Sequence, residues 1–203
     1  IIHKIFIYRY LMKLSGSYQI NLSKQKVWEA LNDPEILKKA IPGCEEFIKN
    51  SDTEFTATAT NKIGPFNASF TGDIELTDLN PPDSYKITGS GNSPVGFASG
   101  EATVRLEDHE DGTNLVYEVE ANVGGKIAQV GSRLIDMTAK KMADIFFGKF
   151  SELISNEESS SSGEASIEKI ANTTPIESKN QNQKILIYAA ALAAVAILIY
   201  FFL

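Results

Sequence analysis

The chain has 203 residues, which is enough for one domain of ordinary size with appendages. Its formal charge of −7, with no basic stripe ahead of the C-terminal tail, argues against nucleic acid as a partner, because phosphate binding needs a cationic face. The single cysteine, Cys44, cannot form an internal disulfide and is predicted to be a small packed side chain.

The first eleven residues, IIHKIFIYRYL, are apolar and basic and do not begin with methionine. They lack the long apolar core and the small-residue cleavage site of a signal peptide. A more regular segment, MKLSGSYQINL, begins at Met12. We therefore expect translation to start at Met12, and we treat residues 1–11 as an N-terminal extension without a role in function.

A strand followed by two short helices is predicted next. Apolar residues alternate from Lys13 to Leu22, as in a strand. Ser23 is a candidate N-cap for a helix over Lys24–Leu31, and Pro34 is suited to the first turn of a second helix over Glu35–Ala40. This strand–helix–helix unit predicts a notch in which a longer helix can lie.

Six further strands are predicted, with no gap long enough for another helix. Turn-forming residues such as Pro81-Pro82-Asp83 and Asp111-Gly112 separate them. Short connections between successive strands predict an antiparallel meander of about seven strands in all. The predicted ranges are 45–50, 53–62, 66–79, 84–91, 96–107 and 113–123.

A long amphipathic helix is predicted over Gly124–Ile154, about 40 Å at 1.5 Å per residue. We expect a curved sheet to hold this helix with a space between them, which is an α+β fold. The apolar residues at helical spacing are Ile127, Val130, Leu134, Ile135, Met142, Ile145, Phe146, Phe150, Leu153 and Ile154.

The side chains that face the helix follow from the period of two in each strand. Many are alanine or glycine, so either the helix lies very close to the sheet or the interior leaves room for an apolar ligand. The predicted ligand-binding residues are Ala57, Ala59, Ala68, Phe70, Gly72, Ile87, Gly89, Ala98, Gly100, Ala102, Tyr117, Val119, Ala121, Leu134, Met142 and Phe146.

Catalytic and metal-binding groups are not predicted. His3 and His109 fall in the N-terminal extension and at a hairpin tip, and no His, Cys or carboxylate cluster has the spacing of metal ligands. Glu101 and Arg105 alternate together and are interpreted as a surface charge pair. The glycine-rich segment Gly89–Gly96 joins two strands and is predicted to be a hairpin end able to gate a cavity.

Several motifs together resemble the CoxG family, named after the CoxG component of carbon monoxide dehydrogenase. They are VWEAL, NDPEILKKAIPGCEEF, KIGPF, TGDIELTD, FASGEATVRL and NVGGKIAQVGSRLI, between Met12 and Ile154. The family belongs to the START-like (SRPBCC) helix-grip superfamily, whose members enclose hydrophobic ligands between sheet and helix. The resemblance implies a role in recruiting carbon monoxide dehydrogenase, or a related molybdenum hydroxylase, to the membrane. It brings no catalytic residues.

The C-terminal part changes composition abruptly. Residues 155–184 are rich in Ser, Glu, Asn and Gln and are predicted to be a disordered linker. Residues 185–203 are nineteen residues without a charge, about 28 Å of helix, and are predicted to be a transmembrane anchor. Lys179 and Lys184 precede this span, which predicts a single-pass, tail-anchored protein whose domain (12–154) lies in the cytoplasm.

Three functions remain open at this point. The first is a non-catalytic, membrane-tethered binding protein that holds an apolar ligand, with a quinone as the apolar molecule that a membrane-associated redox enzyme needs to reach. No intrinsic cofactor is predicted. The second is an enzyme of the aromatase or cyclase kind, which the same superfamily contains. The third is a docking platform with a packed core and no ligand.

Overall fold

The computed structural model describes residues 9–161, with side chains to residue 156. Seven strands form one antiparallel sheet in the order β1-β7-β6-β5-β4-β3-β2. The strands are β1 (Arg9–Ile20), β2 (Cys44–Lys49), β3 (Glu54–Ile63), β4 (Phe66–Asn80), β5 (Ser84–Ser93), β6 (Gly96–His109) and β7 (Gly112–Gly125). The helices are α1 (Lys24–Ala30), α2 (Pro34–Ala40) and α3 (Ser132–Ser161), with a 3₁₀ turn at Ile127–Val130.

The predicted meander of seven antiparallel strands and the C-terminal helix are confirmed. Every predicted strand is present, and most of the bounds agree within two residues. Strand β1, however, begins at Arg9, so residues 9–11 of the predicted extension pair with β7 at Gly124, Val123 and Asn122. The predicted domain boundary at Met12 therefore falls inside the first strand.

The long helix begins later than predicted. Gly124 and Gly125 are the last residues of β7, and a 3₁₀ turn follows before α3 starts at Ser132. Gly131 separates the turn from the helix with a φ of 94°, a left-handed value that interrupts any helix and suits glycine. At its other end α3 continues to Ser161, so the prediction of a linker from residue 155 was wrong for its first seven residues.

The two short helices are held by different contacts. Ser23 precedes α1 but makes no side-chain capping hydrogen bond, so the predicted cap was wrong. The Asp33 carboxylate caps α2 by accepting hydrogen bonds from the backbone N–H of Glu35 (2.8 Å) and Ile36 (3.4 Å). Pro34 takes the first position of α2, as predicted.

The face that α3 turns to the sheet differs from the predicted face at one point. Ile145 was predicted to be apolar core but is 42% exposed, whereas Phe147, which the periodicity did not select, is buried. Phe147 stacks on Tyr18 of β1 with ring centroids 4.0 Å apart. Burial of Ile135, Phe146 and Phe150 agrees with the prediction.

Two tyrosines fasten α3 to the edge strand β1. The Tyr10 hydroxyl donates to both carboxylate oxygens of Asp136, at 2.8 and 3.0 Å, and the Tyr18 hydroxyl donates to Asp144. Burial and the neighbouring carboxylate raise the pKa of each tyrosine, so both hydroxyls stay protonated as donors. Helix α3 also packs against α2 and follows the 3₁₀ turn closely.

The adjacent side chains Phe146 and Ile145 give a direct test of the helix orientation. Replacing Phe146 with alanine should lower the free energy of unfolding by about 3 to 5 kcal/mol, because a buried ring is lost and a cavity remains. Replacing Ile145 with alanine should cost about 1 kcal/mol or less. Urea denaturation followed by the fluorescence of Trp28, the single tryptophan, measures both. Equal losses would mean that α3 is rotated from the position described.

Candidate ligand-binding interior

Most of the predicted ligand-binding side chains do face the interior between sheet and α3. Three of the sixteen, Gly89, Gly100 and Leu134, are half-buried, and the others are buried. Their role in binding stays a prediction. The buried members are Ala57, Ala59, Ala68, Phe70, Gly72, Ile87, Ala98, Ala102, Tyr117, Val119, Ala121, Met142 and Phe146.

Small residues form a continuous patch on the inner face of the sheet. Ala57, Gly72, Gly91 and Ala98 pair in that order across β3, β4, β5 and β6. Because paired residues of an antiparallel sheet share one face, the backbone is nearly bare along this row. Such a floor leaves space that large side chains would otherwise fill.

Gly100 has a different reason for being glycine. A Cβ on Gly100 would collide with the backbone oxygen of Glu120 and would lie 2.9 Å from the Ala121 Cα, on the neighbouring strand β7. The close approach of β6 and β7 therefore demands glycine here, and Gly100 carries no information about a cavity. At Gly89, by contrast, a Cβ would make only ordinary contacts, with Asp73 O at 3.4 Å and Ile74 Cγ1 at 3.9 Å.

Aromatic side chains fill the interior on the side of β1 and β7. Phe147 lies between Tyr18 and Tyr117, with ring centroids 4.0 and 5.5 Å away. Phe146 stacks on Phe150 at 5.7 Å. Burial raises the pKa of Tyr117, so its hydroxyl stays neutral. The tight aromatic packing on this side leaves the patch of small residues as the roomier part of the interior.

Two buried polar atoms lack hydrogen-bond partners in the described structure, the Trp28 Nε1 and the Tyr85 Oη. They belong to neighbouring side chains, since the two rings meet edge to face with centroids 5.2 Å apart. Trp28 is 1% exposed and Tyr85 is 2% exposed. Burial alone raises the pKa of Tyr85 well above its usual value, so its hydroxyl remains a donor.

The other buried polar side chains are satisfied. Asn32 donates to the backbone oxygen of Trp28 at 2.5 Å, and Thr113 donates to the backbone oxygen of Leu22 at 2.7 Å. Native interiors pair nearly all their buried donors, so two adjacent unpaired ones call for an explanation. Sequence reasoning missed the Trp28–Tyr85 pair, because α1 and β5 are brought together only by the tertiary fold.

Groups for acid–base chemistry are absent from the described interior. Among residues 9–156 no Asp, Glu, Lys, Arg or His side chain is buried, and no group of three or more His, Cys, Asp or Glu could hold a metal ion in the described part of the chain. The Cys44 thiol is half-buried and donates to the Glu46 backbone oxygen at 3.4 Å. Burial raises the pKa of Cys44 to about 11, so the thiol is a poor nucleophile.

The outer face of the sheet carries charged depressions instead. One of about 530 Å³ lies over β3 to β5 and includes Glu54, Asp73 and Glu75 in its walls. Another of about 400 Å³ lies over β1, β6 and β7. The carboxylates in these walls do not suit an apolar ligand. The predicted pair of Glu101 with Arg105 was wrong, since Arg105 contacts Glu118 and Glu101 contacts Lys86, at 3.3 and 3.6 Å.

A curved antiparallel sheet closed over one long C-terminal helix is the arrangement of helix-grip, START-like proteins. Within that class the chain belongs to the CoxG family of carbon monoxide dehydrogenase subunits, whose family model matches residues 16–155. Among curated proteins, no sequence match was found.

Solved structures agree with this class. A conserved protein from Geobacillus kaustophilus is 32% identical with a TM-score of 0.68, and the match covers 71% of this chain and 96% of that one. An uncharacterized protein from Rhizobium leguminosarum is 13% identical, with a TM-score of 0.58 and coverage of 74% and 99%. The Zhui aromatase/cyclase from Streptomyces sp. R1128 is 11% identical, with a TM-score of 0.56 and coverage of 73% and 96%. The last two likenesses show the fold alone.

The predicted membrane anchor, residues 185–203, lies outside the described residues, as does the greater part of the predicted linker. Within residues 9–161, no helix is both long enough and apolar enough to span a bilayer.

Proposed function

We propose that this protein is a non-catalytic carrier that holds an apolar small molecule with a carbonyl group, a quinone being the class that fits best. In this proposal it serves carbon monoxide dehydrogenase, or a related molybdenum hydroxylase, at the membrane. Residues 185–203 would be the tether that keeps the cytoplasmic domain there. The observation that carries the proposal is the unpartnered Trp28–Tyr85 pair beside a floor of small residues.

The unpartnered pair supports a ligand with an acceptor oxygen. An indole N–H and a phenolic O–H are both donors, and leaving each unsatisfied costs about 1 to 3 kcal/mol. A carbonyl oxygen has two lone pairs and accepts from both. A quinone offers such a carbonyl on an otherwise apolar ring, and thereby matches an interior of aliphatic and aromatic side chains with few polar groups.

The floor of small residues supports an elongated apolar body. Tyr85 and Gly91 both lie on β5 and are six residues apart, so they are separated by about 20 Å along the strand. A head group at Tyr85 would thus leave a channel over Gly91 and its small neighbours for an apolar chain. Bulky residues near Tyr85, including Val104 and Leu106, are buried around the head-group end.

The partner follows from the family's name and from electron balance. Oxidation of carbon monoxide releases two electrons, and a quinone takes up two electrons and two protons to become a quinol. An enzyme in the aqueous phase reaches that apolar acceptor only if a carrier brings it from the bilayer. A tethered domain with an apolar interior suits this task.

The aromatase/cyclase reading is the second candidate, favoured by the fold shared with the Streptomyces enzyme. Such chemistry needs acids and bases in contact with the substrate. The ionisable side chains buried in the described interior are tyrosines, whose pKa values burial raises further from neutrality. This lack of groups that titrate near neutral pH favours the carrier.

Menadione, a naphthoquinone without a tail, and 2-methylnaphthalene, which lacks both carbonyls, separate the readings by calorimetric titration. Menadione should bind more tightly. Replacing Tyr85 with phenylalanine should weaken menadione binding about three- to tenfold and leave 2-methylnaphthalene unchanged, because one hydrogen bond to the carbonyl is lost. Trp28→Phe should act in the same direction.

Tyr10→Phe is the matched control, since it also removes one hydroxyl but at the margin of α3, where Tyr10 contacts Asp136. Its menadione affinity should equal that of the parent. The ligand-free Tyr85→Phe protein should unfold no more easily than the parent, because the hydroxyl it loses has no partner. Binding of neither compound to the parent would leave the packed docking platform.

The tether is tested by deleting residues 185–203. The shortened protein should move from the membrane pellet to the soluble fraction, because the remaining chain has no other uncharged stretch of that length. Its urea unfolding transition should match that of the parent domain. Sedimentation with membranes to the same extent as the parent would refute the anchor.

A further inference from the structure

Charge is unevenly distributed between the two ends of the sheet. We name as the loop end the end that carries the turns at Gly64-Pro65 and Pro94-Val95, the connection 126–131 and the start of β1 at Arg9. Antiparallel pairing places these segments together, although they are far apart in sequence. Val95 joins two of them directly, because its backbone oxygen accepts from the Ile127 N–H at 3.0 Å.

The loop end is cationic in a chain whose net charge is −7. Four exposed basic residues lie there, and the segments 9–12, 61–67, 91–97 and 121–135 contain no Asp or Glu. The nearest carboxylates, Asp136 and Glu45, lie at its margin. The four basic residues are Arg9, Lys62, Lys126 and Arg133.

The loop-end cations are also unpaired. Within the described residues none of the four forms an ion pair, and Arg9 lies over the ring of Phe97 at 5.7 Å. At the opposite end of the sheet, by contrast, Lys24 contacts both Asp83 and Asp108 at 2.9 Å, and burial of charge there is balanced. A cluster of unpaired cations keeps its field for an external partner.

Apolar side chains are interleaved with these cations. Met137 is 61% exposed and stands one helical turn beyond Arg133, and Leu11 is 51% exposed on β1. The turn residue Gly64 lies against Leu134, since a Cβ on Gly64 would come within 2.9 Å of the Leu134 Cδ2. Basic groups next to exposed apolar groups are the composition of surfaces that bind the interface of anionic bilayers.

We infer that the loop end is a docking surface for a bilayer that contains anionic phospholipid. Its cations contact the phosphate groups while Leu11 and Met137 enter the interfacial region. The inference goes beyond the proposed carrier function, because it depends on neither an interior ligand nor the anchor. It also fixes an orientation, in which α1 and the acidic turns point away from the membrane.

The test uses residues 9–161, a segment without residues 185–203. A domain of this extent exists as a separate chain, since the Geobacillus protein is matched over 96% of its length by 71% of this one. The domain is sedimented with phosphatidylcholine vesicles that either contain or lack phosphatidylglycerol. It should bind only the anionic vesicles, and added salt should release it.

The variant with Lys62, Lys126 and Arg133 all changed to glutamine should bind the anionic vesicles about 100-fold more weakly, at about fivefold for each cation removed. A control with Lys49, Lys86 and Lys149 changed to glutamine has the same net charge, but these residues lie away from the loop end. It should bind like the parent.

Three results would overturn the inference. They are equal binding to neutral and anionic vesicles, equal weakening by both triple variants, and no vesicle binding by a domain that instead binds a purified enzyme partner through the same three cations. Each of these results leaves the menadione titration unaffected, so failure here is distinguishable from failure of the carrier proposal.

Discussion

A mismatch of widths governs this fold. Seven strands at about 4.8 Å spacing make a sheet about 29 Å wide, whereas a helix with its side chains is about 10 Å across. One helix cannot cover such a sheet if the sheet is flat. The sheet must curl around α3, and α1 and α2 must close the remaining side, where α2 packs against α3. What lies between is an interior whose filling depends on individual side chains.

The filling is asymmetric, and function is proposed to follow from that asymmetry. Toward β1 and β7, Phe147 and its tyrosine neighbours pack the space, and hydrogen bonds from Tyr10 and Tyr18 hold the helix to the edge strand. Toward β4 and β5, the row through Gly72 and Gly91 leaves the backbone bare. The unpartnered donors of Trp28 and Tyr85 belong to this interior and supply polarity without charge.

Sequence periodicity predicted the sheet well, because alternation in a half-buried strand is a local property of the chain. The buried side chains Ala57 to Leu76 and Leu115 to Val123 fall on the predicted face. Helix phase was predicted less well. The break at Gly131 resets the helix, and the phase extrapolated from Ile127 therefore favoured Ile145 over Phe147.

Features that depend on contacts between distant segments were not predictable in this way. Gly100 is glycine because β7 approaches it, which no pattern within β6 reveals. The Trp28–Tyr85 pair joins α1 to β5, and the loop-end cations become neighbours only when the meander brings their turns to one end. The candidate site thus combines a floor predicted by alternation with a polar pair supplied by the tertiary fold.

Native mass spectrometry of the full-length protein, purified in mild detergent from its own host, tests the central claim most directly. The account predicts a complex heavier than the polypeptide, from which organic extraction releases an apolar compound with a carbonyl group. A spectrum of the bare polypeptide, together with an extract that contains no such compound, would contradict the claim that the interior holds a ligand.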